Sequence, residues 1–430
     1  MAFKALSGVV AYAAALLMAG QALAQAQDNY FSRDRNISVR ERARPGYDAL
    51  GMPLSGFIAY PKIELGVQEN TNIYGAAANP TADTVGIISP EINLASRWSR
   101  NSLTFFARTQ TRAYASHSGE DTTDWQTGGT GRLDLGASTI SFQGDYGYLA
   151  EPRTAVISQT STSFATLHPI EYYLGETDLD ARHTFNRLQI EGEASYKSYQ
   201  FQNGTNAADQ LVLESPLDYD RMVASAKAGY AVSPDTAIYA SFRYNTISYP
   251  NNSATVTTNG ASRNSSGESY DVGANFDLTQ LIRGDAQFGY LHQQFDSPLF
   301  KPLDGFHALA KVEWFPTELA TVTVSGERDV NAATLPGSAS MISGVASGQV
   351  DYELLRNVIL TGIARYQDDA FQGVDRDDHI VDVAISADYL LNRGVGVHLA
   401  YDYLTQDSYG VNRGVTFNDN RVTLSTTLQY

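Results

Sequence analysis

From residue 417 to the end, the chain alternates. Val422, Leu424, Thr426, Leu428 and Tyr430 fall on one parity; Arg421, Thr423, Ser425, Thr427 and Gln429 fall on the other. Successive side chains of a β-strand point to opposite faces, so this segment is apolar on one face and wet on the other. The same two-residue beat recurs from residue 57 onward. No segment beyond the N-terminus has the roughly 18 or more consecutive apolar residues of a membrane helix. Such a strand, repeated along the chain and ending on an aromatic residue, predicts an all-β fold: a transmembrane antiparallel β-barrel of the outer-membrane kind. Leu424, Leu428 and Tyr430 belong to its closing strand.

The N-terminus fits an exported chain. Lys4 precedes an apolar run from Ala5 to Ala19, and Ala22-Leu23-Ala24 offers a small-x-small cleavage site, so residues 1–24 read as a signal peptide. Residues 25–56 read as a flexible periplasmic pre-barrel segment. It carries Arg33, Arg35, Arg40, Arg42 and Arg44, is broken by Pro45, Gly46, Gly51, Pro53 and Gly56, and shows no useful period; plugging the lumen is the alternative. Residues 57–430 read as one barrel. A chain of 430 residues usually suggests two or three globular domains, but the alternation has no break. There are no cysteines, so stability in a disulfide-permissive compartment has to come from elsewhere, and a closed ladder without edge strands serves. The net charge of −17 argues against nucleic acid as a partner. The 26 tyrosines suit aromatic girdles at the two membrane–water interfaces.

Alternation and turn signals give eighteen strand cores: 57–69, 85–98, 102–116, 122–135, 138–151, 170–183, 187–202, 219–232, 236–249, 268–278, 284–296, 304–315, 319–331, 342–354, 357–368, 377–390, 394–408 and 417–430. The connections alternate between short turns, such as 99–101, 136–137 and 391–393, and longer loops at 70–84, 152–169, 203–218 and 250–267. Short periplasmic turns opposite long outer loops are the outer-membrane pattern.

Charges keep to one parity. On the ninth strand Ile238, Ala240, Phe242 and Tyr244 are expected to meet lipid, with Ser241, Arg243 and Asn245 inside. A charge on the lipid face costs about 2–4 kcal/mol near the midplane, whereas a lumen charge is solvated. The candidate lumen-lining residues are Arg108, Arg112, Arg132, Lys227, Arg243, Lys311, Glu313, Asp382, Asp402 and Arg421. Each one taken singly reads best as a cross-strand pair in a wet lumen, worth a few tenths of a kcal/mol. Together with abundant Ser, Thr, Gln and Asn they suit passage of a hydrated polymer or solute.

Other chemistry is weaker. The seven histidines have no metal-ligand spacing, and no metal or cofactor is expected. Asp368, Asp369, Asp375, Asp377 and Asp378 flank an outer loop and read as a solvated acidic cluster rather than a calcium site. Gly128-Gly129-Thr130-Gly131 lies within a strand, opens no helix and lacks a following lysine, so it is no phosphate loop. No nucleophile accompanies the His183/Asp180 or His379/Asp382 neighbours, and an enzyme is not expected.

Several stretches resemble one family. Ile63-Glu64-Leu65-Gly66-Val67, followed by Glu69-Asn70-Thr71-Asn72-Ile73-Tyr74, is similar to the first strand and loop of the bacterial "putative β-barrel porin 2" family. Trp98-Ser99-Arg100-Asn101-Ser102-Leu103 resembles its first periplasmic turn, and His183-Thr184-Phe185-Asn186-Arg187-Leu188 a later one. Pro45-Gly46-Tyr47-Asp48-Ala49-Leu50-Gly51 resembles its pre-barrel segment. The resemblance implies a barrel in the cell outer membrane that gives exopolysaccharide a path outward beside a periplasmic polysaccharide-export protein, and it brings no catalytic residue. A general or solute-selective diffusion porin is the alternative, with the 152–169 loop folded inward as its constriction; an outer-membrane enzyme or a structural barrel ranks behind. The expected partners are outer-membrane lipid and lipopolysaccharide, the barrel-assembly machinery, and a polysaccharide or small solute.

Overall fold

The computed structural model describes residues 37–155, 166–251, 260–279, 281–333, 335 and 337–430. The signal-peptide expectation lies outside these residues. One antiparallel sheet of nineteen strands dominates. One of these strands is the short Met52–Leu54, which folds back on the strand that follows it. The other eighteen form the barrel. They are β1 (Phe57–Asn70), β2 (Asp83–Ser96), β3 (Ser102–Tyr114), β4 (Thr122–Asp134), β5 (Ser138–Ala150), β6 (Glu171–Phe185), β7 (Leu188–Phe201), β8 (Tyr219–Ser233) and β9 (Thr236–Ser248). The second set is β10 (Ser265–Leu278), β11 (Ile282–Phe295), β12 (Leu303–Thr317), β13 (Ala320–Ala332), β14 (Ser340–Leu355), β15 (Val358–Phe371), β16 (Asp377–Leu390), β17 (Val395–Tyr409) and β18 (Phe417–Gln429). Each expected core lies within three residues of an observed strand at both ends.

Each strand pairs with its sequence neighbours, and β18 closes on β1 with Leu424 opposite Val67 and Leu428 opposite Ile63. Closure removes the unpaired edges that a membrane core cannot satisfy. Connections at the end where β1 starts and β18 finishes are tight. β6 and β7 are joined by Asn186 and Arg187, with Phe185 opposite Leu188 and Asn186 at φ 55°. Asparagine tolerates this left-handed conformation better than most residues. Other connections at this turn end are 135–137, 234–235, 318–319 and 356–357; at the opposite, loop end, residues 71–82, 151–170, 202–218 and 249–264 link the strands.

The two parities separate as expected. Tyr244, Ile385, Leu399 and Leu424 are exposed on the outer face, whereas Thr423, Ser425, His398 and Asp402 are buried on the inner one. On β15, Ile359, Thr361 and Gln367 are buried inward and Tyr366 is exposed outward. Among the described residues no helix is long and apolar enough to cross a membrane.

Of the pre-barrel segment expected to be flexible over 25–56, residues 25–36 lie outside the described ones, and the described part is docked. Residues 37–54 are held against the barrel, because their arginines find buried carboxylates on the inner wall.

Candidate functional site: the inner wall

The side chains that alternation turns inward make up the site, and they are organised differently around the circumference. Along β8–β15 they bridge strands that are not neighbours. Asp329 on β13 takes Arg221 of β8 at 3.0 Å and Arg243 of β9 at 2.9 Å. Arg221 also reaches Asn331 Oδ1 at 3.2 Å. Arg243 donates to His307 Nε2 at 2.9 Å. Arginine cannot accept, so Nε2 is the acceptor and Nδ1 carries the proton given to Asp271 Oδ1 at 2.6 Å. Nearer the loop end, Leu291, Phe295, Phe300, Leu303, Val330 and Ala339 add an apolar cluster against the same wall.

The pre-barrel segment completes this side. Arg40 Nε bonds Asp351 Oδ1 at 2.6 Å and its Nη2 bonds Thr361 at 2.8 Å. Arg42 and Arg44 converge on Glu353 Oε2 at 3.1 and 3.3 Å. Glu41 meets Arg283 at 3.2 Å, and the Val39 N–H donates to Thr321 Oγ1 at 3.0 Å. Asp351, Glu353, Thr321, Thr361 and Arg283 are all buried on the inward parity, so this segment sits inside the turn end.

Along β16–β18 and β1–β7 the bonds run mostly between adjacent strands. Lys62 pairs with Glu91 at 2.8 Å. Arg108 holds Gln126, which donates to Asp145 Oδ2 at 2.6 Å. Gln68 donates to Thr423 at 2.8 Å, and His398 meets Asp388 at 2.7 Å. A half-open cavity lies against this wall, lined by Lys62, Glu64, Glu91, Arg108, Gln110 and Gln126 among others.

The loop end carries an aromatic file that faces inward. Tyr172 stacks on Tyr199 at 5.6 Å between centroids, Tyr199 on Tyr219 at 4.6 Å, and Tyr219 packs on Tyr249 at 5.9 Å. The Arg263 guanidinium lies 3.8 Å from the Tyr249 ring centroid. Loops are pinned over the file. Arg263 bonds Pro216 O at 2.6 Å and Ala333 O at 3.2 Å, and the Tyr249 hydroxyl accepts the Ala333 N–H at 3.0 Å. The 152–169 loop joins in: Ala155 belongs to the buried apolar cluster that contains Tyr172 and Tyr199, and Arg153 bonds Glu120 at 2.9 Å and Thr166 at 3.0 Å. Its residues 156–165 lie outside the described ones. Burial in these loops raises two carboxyls, Glu214 to about 7 and Glu151 to about 8, the latter also under the charge of Asp124.

All ten candidate lumen residues lie on the inward parity, but they form no single cluster. Asp382, Asp402 and Arg421 come together on β16–β18, with Asp402 opposite Arg421 in the ladder and Arg421 bonded to Asp419 at 2.6 Å. Both carboxylate oxygens of Asp402 are buried without a hydrogen-bond partner among the described residues. Lys311 reaches Glu313 at 3.4 Å, and Glu313 also pairs with Arg283. Lys227 lies 4.0 Å from the Tyr239 ring centroid. Arg243 joins the Asp329 network. Arg112 bonds Gln110 at 3.0 Å, and Arg132 stands opposite Ser102 and Ser141. Tyr430 is exposed at the end of the closing strand, where its carbonyl takes the Gly51 N–H at 3.1 Å. The aromatic file was missed because tyrosine was assigned to outer girdles. Parity carried the signal: Tyr199 is in phase with Lys197 and Tyr219 with Arg221, both inward.

A family model described as "Putative beta-barrel porin 2" matches residues 44–430. No curated protein matches the chain. Among solved structures, a mutant of the ferric enterobactin receptor PfeA of Pseudomonas aeruginosa aligns over 89% of this chain and 81% of its own, at 7% identity and a TM-score of 0.45. OccAB3 of Acinetobacter baumannii aligns over 88% and 100%, at 11% identity and 0.43. OpdL of Pseudomonas aeruginosa aligns over 87% and 99%, at 12% identity and 0.41.

Proposed function

Because this chain belongs to the "putative beta-barrel porin 2" family, we propose that it is an outer-membrane porin whose inner wall offers a passive, water-lined path. The observation that carries this reading is the charged and polar lining inside a closed eighteen-strand barrel, while the outward-facing charges, among them Glu268, Asp304, Arg328 and Asp368, sit towards the loop end. Barrels of about 16–18 strands are wide enough for an aqueous channel. In this reading the turn end, where β1 starts and β18 finishes, faces the periplasm and the loop end faces outward. The wall groups act by many weak hydrogen bonds, and direction comes from outside the barrel. The test is reconstitution into planar bilayers. Stable ion conductance supports the reading, and a correctly folded barrel that stays electrically silent even when the contacts of Arg40, Arg42 and Arg44 with the inner wall are removed overturns it.

The cargo we propose is exopolysaccharide, delivered by a periplasmic polysaccharide-export protein, on the family resemblance in the sequence. Deleting the gene should remove polymer from the cell surface while its synthesis continues; unchanged surface polymer refutes this cargo. A solute-selective diffusion porin is the second reading. It is favoured by the place of Ala155, from the 152–169 loop, in the buried cluster that holds inward-facing Tyr172 and Tyr199.

A further inference from the structure

We propose that residues 38–45 are a detachable internal strap. Docked, the strap closes the turn end by occupying an arginine-binding surface on the inner wall of β11–β15; withdrawn, it opens the passage. This rests on the porin reading above.

Three features carry the inference. The first is reach. This short segment touches β11 through Glu41–Arg283, β13 through Val39–Thr321, β14 through Arg40–Asp351 and Arg42–Glu353, and β15 through Arg40–Thr361. Arg393, from the turn between β16 and β17, adds two bonds to Pro45 O at 2.9 and 2.7 Å. A segment bonded along that much of one arc of the inner wall fills the turn-end mouth from that side.

The second feature is the kind of contact. The guanidiniums of Arg40, Arg42 and Arg44 recur at every second residue and meet two wall carboxylates, while Val39 is the strap's fully buried apolar side chain. An interface made of charge-assisted bonds leaves behind a surface that water can solvate. Each such bond exchanges for water at a small net cost, unlike a packed apolar face. The wall groups also keep other donors when the strap leaves: Asp351 takes Gln349 at 2.6 Å and Thr361 at 2.8 Å.

The third feature is the anchor. Gly51 has φ +68°, and a Cβ there would stand 2.3 Å from Ile58 Cγ2. Directly after it, Met52–Leu54 pairs with β1. The chain therefore turns sharply between a strand fixed to the barrel and the polar strap, which places the pivot at the turn-end rim.

The full chain in planar bilayers tests this. It has no cysteine of its own, so Val39→Cys with Thr321→Cys can form one disulfide that locks the strap. The Arg40→Ala/Arg42→Ala/Arg44→Ala variant frees it. Val39→Cys alone, labelled with a hydrophilic maleimide, reports release whether or not current flows. Removing the three arginines should raise that labelling rate on the order of tenfold or more. The freed variant should conduct more than the parent, and the locked pair should conduct less until a reductant is added. Molar salt should raise labelling less than the arginine substitutions do, because Asp351 and Glu353 are buried and buried pairs are screened less. Equal conductance of the locked pair before and after reduction overturns the strap and leaves the porin reading standing. Raised labelling with no current in any variant overturns the porin reading and the strap's role with it. Should the triple variant fail to fold, the locked pair decides alone.

Discussion

The inner wall has two characters. Along β8–β15 its side chains reach across to strands that are not neighbours and to the pre-barrel strap, and the groups they use are nearly dry: Asp329 is 6% exposed and His307 is 1% exposed. Along β16–β18 and β1–β7 similar residue types mostly meet the adjacent strand, as Lys62 meets Glu91 and Gln68 meets Thr423. One alternation rule made both. What separates them is connectivity, not burial: Glu64, Glu191 and Asp402 on the second arc are as buried as Asp329. A pair between adjacent strands that keeps some exposure, such as Lys62 with Glu91, costs little to hold or to lose. A buried network across strands that are not neighbours makes every member depend on the others. The bridged side therefore ties distant strands together, and the Lys62–Glu91 region offers a surface that a solute can wet.

The sharpest way to break this contrast is Asp329→Ala. It strands the guanidiniums of Arg221 and Arg243, both largely buried, with their shared carboxylate gone. Removing one partner of a buried charged network costs about 3–5 kcal/mol. Reversible urea unfolding in detergent or lipid should show a fall of that order. A change near zero would mean the bridge is wet and the two sides are alike.

The contrast applies to the inside alone. The outer face is apolar along the middle of the strands, with charges such as Glu268, Asp304 and Asp368 confined to the loop end, and that can be checked on the closing strand. Leu424→Arg places a charge in lipid and should cost about 2–4 kcal/mol in the same assay, whereas Thr423→Arg, one residue away and inward, should cost far less. Equal penalties would contradict the assignment of Leu424 to the outside and Thr423 to the inside.

Much of this was legible in the sequence because a period of two is a local property. Strand positions, closure through Leu424 and Leu428, and the inward placement of the ten charged candidates needed no long-range information. The two characters of the wall were not legible. Asp329 and Glu91 look alike on alternating strands, and nothing near Asp329 says that Arg221 and Arg243 will converge on it from β8 and β9. The strap was misjudged for a related reason. Arg40, Arg42 and Arg44 read as solvated because their carboxylates, Asp351 and Glu353, lie some three hundred residues further along the chain. The tyrosine file shows a different failure, in which composition outweighed parity.

Where the two sides join at the loop end, acidity should loosen or tighten the interior. Glu214 lies on the 202–218 connection between β7 and β8, and burial lifts its carboxyl from an ordinary value of 4.5 to about 7. In the packed loop it stays protonated up to about 7; in an opened loop it ionises from about 4.5. The packed value is the higher one, so loop packing is at full strength below about 4.5 and weakens as pH rises to about 7, with no further loss above. Limited proteolysis of the loop should be faster at pH 8 than at pH 5 relative to a control substrate, and Glu214→Gln should abolish the difference. A pH dependence that survives this substitution would move the effect elsewhere, with Glu151 the next group to test.

The smallest effect is the most informative about function. Lys62 and Glu91 are partly exposed to the cavity on the less bridged side, with side-chain exposures of 18% and 15%. A pair like that is worth less than about 1 kcal/mol, so Lys62→Met should leave the unfolding midpoint almost unchanged. It should still alter what the wall offers. Glu91 loses its nearest cation while Glu64 stays beside it, so the cavity becomes more acidic and conducted ions should shift toward cations. Arg221→Met on the bridged side is the matched control. It also removes one inward cation, but it uncouples β8 from β13, so stability should fall together with any change in conductance. If both substitutions changed selectivity and neither changed stability, the bridged network would be no more than a solvated lining. If Lys62→Met lowered stability as much as Arg221→Met, both halves of the wall would be dry. Selectivity moving without stability at Lys62, and with it at Arg221, is the result that separates a surface that meets solute from one that holds the barrel's interior in shape.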